Sequence, residues 1–156
     1  MILGIDPGIR KLGYALIKSD LSIIDSGILF LDQKSPTRID QFERIKKIYD
    51  FFEQLIKKYK IKIVGIEKLF FTKFNQSNAE FVYGVRGALI MLFLKNGMKI
   101  KEFAPIQLKK FVTGNAKAEK KLVQNCVMKL YGLVNFPEFA DAADALALAY
   151  IANKLN

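Results

Sequence analysis

The chain has 156 residues, with 25 Lys and Arg against 15 Asp and Glu for a formal charge of +10, one cysteine and no histidine. At 51% hydrophobic it can bury a core without disulfides or a structural metal, which excludes disorder and leads to the expectation of one domain over residues 1–156. The missing histidine excludes imidazole-based nucleophile pairs, general bases and zinc sites, and the lone Cys126 excludes thiolate zinc as well. What is left is chemistry by carboxylates, lysines, hydroxyls or a metal on oxygen ligands, which favours magnesium or manganese. The positive excess points to a polyanionic partner, nucleic acid first and an anionic membrane second. No signal segment is read at the start and Cys126 has no partner for a disulfide, so a soluble protein of a reducing cytoplasm is expected. The longest apolar run, Ala88 to Leu94, is too short to span a bilayer, and no membrane partner is expected.

Ile2 to Ile5 followed by Asp6-Pro7-Gly8 reads as a buried strand stopped by a turn, with Gly8 supplying positive φ and Asp6 at the strand's carboxyl end. Gly13 to Lys18 and Ser22 to Leu31 extend it into an antiparallel meander. From Ile39 the apolar residues Phe42, Ile45, Tyr49, Phe52, Ile56 and Tyr59 fall on one helical face. Lys62 to Glu67 gives a fourth strand that again ends in an acid. A helix from Asn75 or Ser77 to the stop at Asn96-Gly97 follows, then a fifth strand at Met98 to Phe103. The remainder reads as three helices: Pro105 to Val112, one with Leu122, Val123, Cys126, Val127 and Leu130 on a shared face, and Phe139 to Asn153. This order describes an α/β domain with a mixed five-stranded sheet flanked by helices.

Four acids draw the chemistry together. If the first and fourth strands are neighbours, Asp6 and Glu67 end on one sheet edge, where α/β folds place their ligand crevices. Asp141 and Asp144 are spaced i, i+3 on one face of the last helix, and Ala142, Ala143, Ala145 and Ala147 allow that helix a close approach to the sheet. Taken singly the acids read as a turn residue, a strand end, a helix N-cap and a charge suited to the helix dipole. Taken together they suggest one metal site, because clustered carboxylates repel unless cations neutralise them. Two divalent ions about 4 Å apart bind an attacking water and the leaving oxygen of a phosphodiester without any histidine.

The motifs resemble the RuvC family of Holliday junction resolvases, nucleases of the ribonuclease H-like fold. The likeness covers nearly the whole chain. It rests on Ile2-Leu3-Gly4-Ile5-Asp6-Pro7-Gly8 with Gly13-Tyr14, on Gly65-Ile66-Glu67-Lys68-Leu69-Phe70-Phe71, on Gln107-Leu108-Lys109 and Ala118-Glu119-Lys120, and on Asp141-Ala142-Ala143-Asp144-Ala145-Leu146-Ala147. The resemblance implies that Asp6, Glu67, Asp141 and Asp144 are the catalytic metal ligands, holding two Mg²⁺ with Mn²⁺ as a substitute. Asp141 stands where some members have histidine. The resemblance further implies resolution of four-way junction DNA by paired nicking in recombination and repair, 5′-phosphate and 3′-hydroxyl ends, and a homodimer whose two-fold axis matches the substrate. A branch-migration motor complex is a further candidate partner.

Lysines 99, 101, 109, 110, 117, 120, 121 and 129 face only Glu102 and Glu119 over residues 99 to 130, a net of +6 that reads as a phosphate-contacting patch. The resemblance matches Lys109 and Lys120 to basic residues near the active site, suited to holding the scissile phosphate. Phe70, Lys73 and Phe74 lie in the aromatic loop after Glu67. Phe70 matches an aromatic that stacks on unpaired bases at the junction centre, an interaction worth ~1–3 kcal/mol per base. Phe71 reads as core beneath the loop, and Arg86 matches an arginine in the family's second helix and is expected to contact DNA. Gly87 to Leu94, apolar almost all round, is expected to bury against a second subunit. Three rivals stand beside this reading: a nucleotide-binding ATPase suggested by Gly4 to Gly8, a related nuclease acting on RNA or other branched DNA, and a non-catalytic junction-binding protein.

Overall fold

The computed structural model describes residues 1–31, 38–68, 76–135 and 140–155. Strands β1 (Ile2–Asp6), β2 (Lys11–Ile17) and β3 (Ile23–Phe30) precede helix α1 (Arg38–Lys58). Then come β4 (Ile63–Glu67), α2 (Gln76–Lys95), β5 (Lys99–Phe103), α3 (Pro105–Thr113), α4 (Lys120–Tyr131) and α5 (Ala140–Lys154). The sheet order is β3-β2-β1-β4-β5. β1 and β2 pair antiparallel, as do β2 and β3, whereas β1 with β4 and β4 with β5 run parallel. The meander and the two later strands thus form the expected mixed sheet. Among the described residues no helix is long and apolar enough to cross a membrane.

Strand alternation divides the core in two. Leu3, Ile5, Leu16 and Val64 pack with Ile48, Phe52, Val82, Leu89 and Phe93 of α1 and α2. Ile2, Ala15, Ile17 and Ile63 pack with Leu108, Val123, Val127 and the apolar side of α5. On this second face the sheet carries glycines. A Cβ at Gly4 would lie 2.0 Å from the Ala145 carbonyl oxygen, and one at Gly65 would lie 2.5 Å from that of Leu148. The backbone of α5 therefore rests directly on β1 and β4, which its run of alanines permits. Ala143, Ala145, Ala147, Leu148 and Ala149 are all buried.

Helix α1 packs Ile45, Tyr49, Phe52, Ile56 and Tyr59 of the expected face against the core, but departs from it in the first turn. Phe42 is 62% exposed and Ile39 70%, while Ile48, Phe52 and Leu55 are buried beside the charged residues Asp40 and Arg44, each 6% exposed. Arg44 Nε meets the Asp40 carboxylate at 3.0 Å, Nη1 donates to the Ile9 carbonyl at 3.1 Å, and the guanidinium lies 4.1 Å from the centre of the Phe81 ring. A stripe counted from apolar residues alone misreads the start of the helix because an ion pair holds the buried face there, each charge making burial of the other tolerable. Gly8 also differs from expectation. It is absent from the glycines with positive φ, and it is required because a Cβ there would lie 2.1 Å from the Lys11 carbonyl oxygen.

The contact of α5 with β1 gives the first prediction. Gly4→Ala forces a methyl against main-chain atoms that cannot rotate away, so it is expected to cost about 1–3 kcal/mol or more. Denaturant unfolding measures this, and a wild-type midpoint would contradict the packing.

Candidate active site

Asp6 and Glu67 are the last residues of β1 and β4. The parallel register sets Gly4 against Gly65 and Ile5 against Ile66, so the next step along both strands puts the two acids side by side at one sheet edge. The direct seating of α5 sets the backbone next to Asp144 against β1. Asp144 immediately precedes Ala145, whose carbonyl lies against Gly4, two residues before Asp6. Asp6, Glu67 and Asp144 are each partly exposed. The backbone of Asp141 lies one turn earlier on α5, but its side chain is outside the described set.

A cavity of about 350 Å³ opens at this edge, lined by Glu67, Asp144, Lys109 and Lys120 above an apolar floor of Pro105, Leu108, Val123 and Leu148. Two acids and the two lysines singled out from the sequence thus line one cavity. Pro105 opens α3, which ends at Gly114 with φ 80°, and it carries Lys109 beside the buried Leu108. Lys120 is the first residue of α4, after the extended residue Glu119. Its side chain therefore adds to the partial positive charge of the helix start. Helix α4 is fixed to α5 by Tyr131, whose hydroxyl donates to the Leu146 carbonyl at 2.7 Å, and burial pushes the phenol's pKa well above its usual value.

Arg86 corrects an expectation. Its side chain is directed into the protein, 8% of the residue is exposed, and it engages the Glu67 carbonyl at 3.1 Å and the Glu102 carboxylate. The guanidinium is thus committed to internal partners, where a surface position for DNA contact was expected. Phe70, Phe71, Lys73 and Phe74 lie outside the described residues. The residues that sequence reasoning missed are Glu102, Tyr131 and the apolar floor. Each is an ordinary strand or helix residue whose place at the site depends on how distant elements pack, and no local pattern ties it to the site.

The donors near the edge are all oxygen, because the chain holds no histidine and Cys126 lies on α4 away from the cavity wall. That set suits a hard divalent cation. Among the described residues no three acidic or cysteine side chains stand close enough together to hold an ion.

A sequence model of the family described as crossover junction endodeoxyribonuclease RuvC matches residues 2–152. The chain belongs to the RuvC family. The protein of that description from Fusobacterium nucleatum is 37% identical over 150 residues, covering 94% of this chain and 76% of the relative. The RuvC of Synechococcus sp. WH7803 is 38% identical over 151 residues, 95% of this chain and 94% of the relative. Among solved structures, Thermus thermophilus RuvC superposes with a TM-score of 0.78 at 25% identity over 95% of this chain and 90% of its own. The same protein in complex with Holliday junction substrate gives 0.81 at 24% identity over 95% and 88%. RuvC membership sets aside the nucleotide-binding ATPase, and the fold is ribonuclease H-like as expected.

The hydrogen bond from α4 to α5 can be tested alone. Tyr131→Phe is expected to lower stability by about 0.5–1.5 kcal/mol, the usual net value of one such bond. Urea unfolding checks it, and no change in midpoint would contradict the bond.

Proposed function

We propose that this chain is a structure-selective endonuclease that resolves four-way DNA junctions by hydrolysing phosphodiesters at the edge formed by β1, β4 and α5. The observation that carries the reading is the cavity that unites Glu67 and Asp144 with Lys109 and Lys120. An acidic pair alone suits a structural ion and a lysine pair alone suits any phosphate, but both lining one cavity suit a phosphate that is to be cut. The relatives' shared description as crossover junction endodeoxyribonuclease, and the junction bound to Thermus thermophilus RuvC, support the choice of substrate.

In this reading Asp6, Glu67, Asp141 and Asp144 hold two Mg²⁺, for which Mn²⁺ substitutes. The bound metal supplies an acidified water and Lewis-acid stabilisation of the leaving oxygen. Lys109 and Lys120 grip the non-bridging oxygens of the scissile phosphate and offset the extra negative charge that develops in the transition state. The floor of Leu108, Val123 and Leu148 lowers the local dielectric and strengthens that interaction. Cleavage leaves 5′-phosphate and 3′-hydroxyl ends. Phe70, Lys73 and Phe74, which directly follow β4 in the chain, are assigned to contact the junction centre, the aromatics by stacking on unpaired bases.

Two cuts at opposed strands require two sites, and a homodimer supplies them with the symmetry of the substrate. The outer faces of α1 and α2 support that assembly. Ile39 and Phe42 on α1 and Met91 and Leu94 on α2 expose large apolar side chains, and no atom lies within 4 Å of a Cβ added at Gly87. In this reading the protein works in the cytoplasm.

Cleavage of a synthetic four-way junction with Mg²⁺ tests the proposal. Wild type is expected to make paired nicks in opposed strands. Asp6→Asn should slow cleavage by at least about 10²-fold, as loss of several kcal/mol of charge stabilisation requires. Lys120→Met should reduce the rate at saturating junction by about 10²-fold, comparable to removing one preorganised donor. Equal cutting by wild type and Asp6→Asn would refute the assignment. Tight junction binding with no nicking at any Mg²⁺ or Mn²⁺ concentration would favour a non-catalytic binding protein.

A further inference from the structure

Asp40, Arg44 and Arg86 are the buried charged residues among those described. Burying a guanidinium carries a desolvation cost that pairing offsets only when its donors are well placed, so stability alone is a weak reason to keep one. Arg86 has a specific pair of partners. From α2 its Nη1 donates to the main-chain carbonyl of Glu67 at 3.1 Å, and its Nη2 pairs with the carboxylate of Glu102 on β5. Those partners belong to adjacent parallel strands, in which Glu67 is opposite Phe103. One residue further, the Lys68 N–H donates to the Phe103 carbonyl at 2.8 Å. The backbone on both sides of the Glu67 peptide carbonyl is therefore fixed at the point where a strand end ordinarily frays.

We propose that Arg86 is a positioning residue for Glu67: its fork ties the end of β4 to α2 and β5, and so sets the direction in which the Glu67 carboxylate enters the cavity it shares with Asp144, Lys109 and Lys120. The geometry requires arginine. A planar guanidinium presents two nitrogens to two partners at once, whereas the single nitrogen of lysine cannot span both. Glu102 completes the device by balancing the charge of Arg86 on the far side from the carbonyl, and its side chain is 43% exposed, so it can be changed without opening the core.

The inference rests on Glu67 being a metal ligand, and the test separates the two claims. Arg86→Lys, Arg86→Gln, Glu102→Gln and Glu67→Gln are compared for Mn²⁺ affinity of the protein alone, read by electron paramagnetic resonance of free Mn²⁺. Single-turnover junction cleavage, junction affinity without metal and thermal unfolding are measured alongside. Both Arg86 variants should lose about 10–100-fold in Mn²⁺ affinity and in cleavage rate, as is typical when the partner that orients a ligand is removed. Their junction affinity should stay at the wild-type value, and Glu102→Gln should shift the same two readouts by a smaller factor. If Arg86→Gln does not fold, Arg86→Lys and Glu102→Gln decide the matter. Wild-type Mn²⁺ affinity and cleavage in Arg86→Lys, or a loss confined to junction affinity or to thermal stability, would overturn the positioning role while leaving the site intact. Unimpaired Mn²⁺ binding and cleavage in Glu67→Gln would instead overturn the site reading, and the role of Arg86 with it.

Discussion

The structure depends on one close contact, the seating of α5 on β1 and β4 with no side chain between backbone and backbone at Gly4 and Gly65. A Cβ at either glycine would overlap a main-chain carbonyl of the helix, so the distance between helix and sheet is set by the absence of atoms. In the proposed site, that distance is what sets Asp144 near the end of β1. Asp144 lies beside the residue that touches Gly4, and Asp6 lies two residues beyond Gly4 on the same strand. Larger residues at this interface would lift α5 and carry its acids away from the strand ends.

Around this contact the charges are sorted by reach. Acids occupy the ends of short, rigid elements, where backbone geometry fixes them. Lys109 and Lys120 reach the cavity from α3 and α4 on long, flexible side chains. The two buried arginines serve neither purpose. Each donates to a main-chain carbonyl at or near a strand-end acid, Arg86 to that of Glu67 itself and Arg44 to that of Ile9, three residues after Asp6. The helix layer of α1 and α2 is in this way fastened to both acid-bearing strand ends on the face of the sheet opposite α5.

Much of this was legible in the sequence, for identifiable reasons. Short apolar runs ended by acids mark β1 and β4, because a central parallel strand is buried on both faces and becomes polar only where it emerges. The alanines around Asp144 announce a helix that must pack closely. Other features were hidden. Arg44 and Asp40 look like solvent-facing residues of an amphipathic helix, and only their pairing across one turn lets them take the buried face. Arg86 reads as a DNA contact from its charge and place in the motif, yet its partners are 19 and 16 residues away in the chain. Gly8 was recognised as necessary for the wrong cause, since a close approach by Lys11 and a positive φ leave the same mark on a sequence.

The central claim is that α5 brings its acids to the ends of β1 and β4 to make one metal site. Anomalous scattering from Mn²⁺-soaked crystals tests it most directly. The account predicts manganese peaks within ligating distance of Asp6, Glu67 and Asp144 at the open end of the β1–β4 pair. Manganese confined to other surface acids, with this edge empty at saturating Mn²⁺, would contradict it.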